Sequence, residues 1–101
     1  MRKPSRPEVP PPPEDAVRLW IAWQAAVEHT ADVRRKFPPA RESVVGGIAL
    51  PLWDERVVQA MRDEVEASIR FHEHPWWYNA FDGVEADRVI VEAAAKLVRG
   101  L

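Results

Sequence analysis

Proline restricts this chain more than any other residue. Its ring fixes φ and removes the amide hydrogen, so helix interiors exclude it, and the residue before it is pushed towards extended geometry. The ten prolines occupy positions 4, 7, 10–13, 38, 39, 51 and 75. Long helices therefore have three windows: from Pro13 to Pro38, from Pro51 to Pro75, and beyond Pro75.

Ahead of the first window, Pro4, Pro7, Pro10 and Pro13 recur at every third residue. A polyproline II helix has three residues per turn, so these rings line one edge of an extended rod, and Arg2, Lys3 and Arg6 make its outer end basic. Residues 1–12 accordingly read as an arm and 13–101 as one helical domain. Pro4, Pro7 and Pro10 are candidate partner contacts, because a preformed backbone loses little entropy when it docks.

Composition narrows the classes further. A chain of 101 residues can bury one modest core, and 47% apolar with 30% charged residues is ordinary for a globular domain. The absence of cysteine excludes disulfides, thiolate metal sites and cysteine nucleophiles. A net charge of −2 argues against nucleic-acid binding by overall electrostatics. The basic start leads into prolines instead of an apolar segment, so it does not read as a secretory signal, and no apolar run is long enough to span a membrane. The expected location is the cytoplasm, or a particle assembled inside the cell.

Within the first window, Glu14 and Asp15 follow Pro13 where the helix dipole favours negative charge, and Arg34, Arg35 and Lys36 close the far end. Ala16, Leu19, Trp20, Trp23, Ala26, Val27, Thr30, Val33 and Phe37 make a core-facing stripe at helical spacing. Val17 and Ile21 project from its flank and are candidate contacts for the arm or a second protein. In the second window Asp54 is the N-cap, and Val57, Val58, Met61, Val65, Ser68, Ile69 and His72 form the expected core face. Arg62, Glu66 and Arg70, spaced by four on the polar side, are set for surface ion pairs. The third window opens on Asp82 with Glu85 three residues on, a capping box, and ends at Gly100. Its helix is apolar on most sides, which leaves a face such as Val84 and Val91 for a second contact, from residues 38–50 or from another chain. Between the first two windows, Gly46-Gly47 suits a two-residue hairpin turn between short apolar runs, read as a loop or an extended pair laid over the helices.

The stretch from His72 to Gly83 gathers histidines and aromatics between two helices. A metal site is not expected: His72 and His74 are two apart, which is not helical ligand spacing, and His29 would have to complete the set. His72 instead continues an apolar stripe, as a hydrogen-bonded core histidine would. Trp76, Trp77 and Tyr78 cannot all point inward from one loop, so one ring should plug the helix end while the others, with Phe81, offer contact surface. No serine stands in a nucleophile motif, and no phosphate-cradling glycine loop or framed carboxylate pair is present. The spacing between the second and third helices is too long for a helix-turn-helix.

These signals predict an all-α fold: a small three-helix domain with helices at about 13–37, 54–73 and 83–99, a proline-rich extended arm, and an aromatic loop between the second and third helices. The expected function is non-catalytic. It is that of an accessory subunit, adaptor or structural component binding other protein subunits or copies of itself, with no cofactor, membrane, nucleic-acid or small-molecule partner. Two other classes compete with it: a ligand- or metal-binding module centred on His72–Tyr78, and a nucleic-acid-associated protein using the basic arm.

Overall fold

The computed structural model describes residues 9–39, 42–80 and 82–100, and at 42–45 and 48–51 the backbone alone. Six elements follow in chain order: α1 (Glu14–Lys36), β1 (Glu42–Val45), β2 (Ile48–Pro51), α2 (Glu55–His72), α3 (Pro75–Tyr78) and α4 (Gly83–Arg99). The domain is helical, and the proline windows hold its three long helices. β1 and β2 pair antiparallel with Val45 opposite Ile48 and Glu42 opposite Pro51. Gly46 (φ +57°) and Gly47 (φ +82°) both lie in the left-handed region that a tight two-residue hairpin demands and other residues resist.

Capping explains where the helices begin. Asp54 accepts from the Arg56 amide at 2.8 Å to start α2, and Asp82 accepts from Val84 and Glu85 amides at 3.1 and 3.2 Å to start α4. Only half of the expected capping box forms, because the Glu85 carboxylate turns to Arg88 (3.1 Å to Nε) and not back to Asp82. α1 has no side-chain cap at Pro13; Asp15 instead accepts from the Ala16 amide at 2.9 Å.

α1 is the hub, packing against α2 along one side and α4 along another. Ala16, Val17, Phe71, Trp76, Ala86, Ile90 and Ala94 form the larger buried cluster, with Trp20, Trp23 and Trp77 packed against it. Val33, Val57 and Ala60 form a smaller one at the far end of α1, edged by Phe37 and Trp53. Thr30, the one buried polar residue among those described, lies between the long helices and points its hydroxyl at the carbonyls of Ala26 (2.9 Å) and Ala60 (3.1 Å).

Three expectations are corrected here. Val17 is not a surface residue but is 4% exposed, because α4 packs on the flank of α1 that carries it. α2 is turned by about one residue from the expected face: Val57, Ala60 and Phe71 are buried, while Met61, Val65 and Ile69 are exposed. Ala60 lets α2 sit close to α1 at Thr30 and Val33 while Phe71 stacks on Trp23, and the larger aliphatics are left outside. Finally, the aromatic loop is a helical turn, α3, with Pro75 at its start and His74 as its N-cap.

Candidate interaction surfaces

Winding Pro75–Tyr78 into a helix separates consecutive rings by about 100°, so the three aromatics take three fates. Trp76 turns inward and is 9% exposed, and its Nε1–H donates to the Pro10 carbonyl at 2.8 Å. Trp77 is half-buried against Phe71 and His72, with ring centroids 5.2 and 5.3 Å away. Tyr78 projects into solvent, 79% exposed. Trp76 is therefore core, and its expected role as a partner contact is corrected. Tyr78 is the exposed ring of the run, and Phe81 lies outside the described residues.

The histidines are held by the same junction. His74 Nδ1 accepts from the Trp76 amide at 3.0 Å, which leaves Nε2–H to donate to Asp15 Oδ2 at 3.1 Å. This hydrogen bond holds the Asp15 carboxyl below the usual aspartate value, the Ala16 amide helping. His72 donates from Nδ1 to the Ser68 carbonyl at 2.6 Å, and its half-buried ring stands edge-on to Trp23, 4.9 Å between centroids. His29 is exposed on α1. Among the described residues, no three histidines or carboxylates gather as a metal would require.

Val9 packs on the larger cluster and Pro10 binds Trp76, so the described end of the arm is seated on its own domain. Pro4 and Pro7 lie outside the described residues. Five basic side chains elsewhere have local partners: Arg18 pairs with Glu14, Arg35 and Lys36 with Asp32, Arg56 with Asp54, and Arg88 with Glu85 and Glu92. Arg34 and Arg56 additionally lie over the Trp53 and Phe37 rings, at 4.8 and 3.8 Å.

What remains uncovered is aliphatic. On α4, Val84, Val91 and Val98 recur every seven residues and are 85, 43 and 55% exposed. Between α4 and α1 runs an open groove with Trp20, Ile21 and Ala25 on one side and Val91, Ala95 and Val98 on the other. Ile21, expected as a contact residue, thus lines a surface with Val91. A second apolar trough follows α2, where Val58, Met61 and Val65 adjoin Trp53 and are bordered by Arg62 and Glu66. Sequence periodicity missed this second trough because it assigned those aliphatics to the core. Among the described residues, no helix is long and apolar enough to cross a membrane. No family model, curated protein or solved structure matches the chain.

Proposed function

We propose that the protein is a non-catalytic interaction module, an accessory or assembly component that binds other proteins through the α1–α4 groove. The supporting observation is the exposed valine series on α4, continuous with that groove. A domain this small leaves apolar area uncovered at a cost of roughly 25 cal/mol per Å², and contiguous patches of that kind mark binding surfaces. The binding mode fits a helix laid into a groove, with anchors at i, i+3, i+4 and i+7. The junction serves as framework, since Trp76 and Trp77 are packed within the domain.

A photo-reactive side chain at Val91 tests the reading in the native cell, with the same group at Lys96, on the polar strip of α4, as the control. The expected outcome is a discrete protein adduct from Val91 and none from Lys96. Equal or absent labelling at the two positions would count against the groove as a binding surface.

A further inference from the structure

The described end of the arm, residues 9–13, rests on the domain as a ligand would. Its half-buried residues are Val9 and Pro12, three apart, while Pro10, Pro11 and Pro13 are exposed. A period of three is that of a polyproline II helix, and Pro13, at φ −67° and ψ 157°, has that geometry. The seated edge is therefore the one carrying Val9 and Pro12, and Pro10 meets the domain through its carbonyl, which accepts from Trp76 Nε1 at 2.8 Å. Among the described residues, no backbone amide bonds to residues 9–12, and Pro10 to Pro13 have no N–H to give in return.

The receiving side is organised by contacts of its own. His74 caps α3 by accepting from the Trp76 amide at 3.0 Å, and its Nε2–H is anchored on Asp15 at 3.1 Å. Trp77 lies beside Trp76 with 6.4 Å between ring centroids, and Phe71 lies 5.2 Å from Trp77. An indole N–H aimed at a carbonyl that precedes proline, on a base of aromatic rings, suits a polyproline II segment. Such a ligand's backbone can only accept, its stiffness lowers the entropy lost on docking, and its side chains make contact at every third position.

From this we infer that the Trp76 junction is a recognition site for proline-rich segments carrying an aliphatic residue and a proline three apart, held shut in this chain by its own arm. With the arm seated, Trp76 belongs to the core. A proline-rich segment of another protein gains the site by displacing residues 9–12. The exchange breaks no backbone ladder and replaces the Trp76 hydrogen bond in kind. The arm competes at an effective concentration on the order of millimolar, as short tethered ligands do, so it is a gate that a tighter ligand opens. Neither Trp76 nor the seated edge of the arm lines the α1–α4 groove, and the inference does not depend on that groove.

The probe is a fluorescent peptide with the sequence of residues 4–13, and the readout is its anisotropy with the full chain. Val9→Ser and Pro12→Ser, made together, weaken the arm's seat without entering a helix. That chain should bind the probe about tenfold more tightly than the parent, whose own arm competes. Adding Trp76→Phe should remove the gain, and a probe carrying both serines should not bind. Nitrogen-15 NMR reads the same event with Trp76 intact: of the five indole N–H signals, one should move in the doubly substituted chain and return when the probe is added. A probe that binds neither chain, binds both equally, binds regardless of Trp76→Phe or leaves the indole signals unmoved overturns the proposal.

Discussion

The junction around Phe71, Trp76 and His74 and the outer face of α2 are both rich in apolar side chains, yet they are built in opposite ways. At the junction every described large ring except Tyr78 has neighbours, and hydrogen bonds fix the geometry: Trp76 to Pro10, His74 to Asp15, and His72 to Ser68. The outer face of α2 carries Met61, Val65 and Ile69 with no described element packed over them. Hydrophobic content alone does not separate core from contact surface in a small domain. Satisfied polar groups among the apolar ones do, because a buried donor without a partner is costly and only a region closed by its own chain can supply that partner.

The largest expected contrast comes from truncating one residue on each side of this divide. Phe71→Ala removes a ring that is 1% exposed and stacked on Trp23, and should destabilise by about 3–5 kcal/mol in chemical denaturation. Val65→Ser, at a side chain 55% exposed, should stay within about 0.5 kcal/mol of the parent. Similar losses from both would erase the distinction. Trp76→Phe keeps most of the ring but deletes the Nε1 donor, for a loss of about 1 kcal/mol. It should also free the Val9–Pro13 segment, visible as faster proteolysis ahead of α1.

The smallest effect is the pH dependence at Asp15. Its carboxyl is lowered from 3.8 by the bond from His74, so its contribution is fully present above the unfolded value and is lost as pH falls through the lowered one. The acid limb of the stability curve should be shallower in Asp15→Asn than in the parent, with the two converging below the lowered value. An unchanged acid limb would remove Asp15 from the junction. The carboxyl is exposed, so the effect is small next to the other two.

Local signals in the sequence carried most of the fold. The proline windows and the Asp54 and Asp82 caps place the long helices, because capping and proline sterics act within a turn or two. Which face of α2 turns inward was not legible. Periodicity weighted by hydrophobicity favours Met61, Val65 and Ile69, whereas the packing that decides the matter depends on Ala60 fitting against Thr30 and Val33 and on Phe71 stacking on Trp23, contacts made to another helix. The same holds for Val17, buried because α1 serves two neighbours and needs two apolar faces. Trp76 and Pro10 meet across 66 residues of chain, a contact that no local pattern encodes. Of the expected site, the spare face of α4 was readable from a helix too apolar for one partner, while the trough on α2 emerged only once its core face was known.

α1 packs against both other long helices, far more extensively on α2 than on α4, and this gives the three unequal standing in the folded ensemble. α4 rests chiefly on the N-terminal half of α1 through Ala86, Ile90 and Ala94, and can part from it while α1 and α2 stay paired through Thr30, Val33, Val57 and Ala60. Because α4 is the more sparsely packed of the two on α1, its amide hydrogens are expected to exchange faster than those of α1 and α2, through an opening that needs less free energy than global unfolding. Such an opening would bare the buried side of α4 and the tryptophan-bearing flank of α1 together.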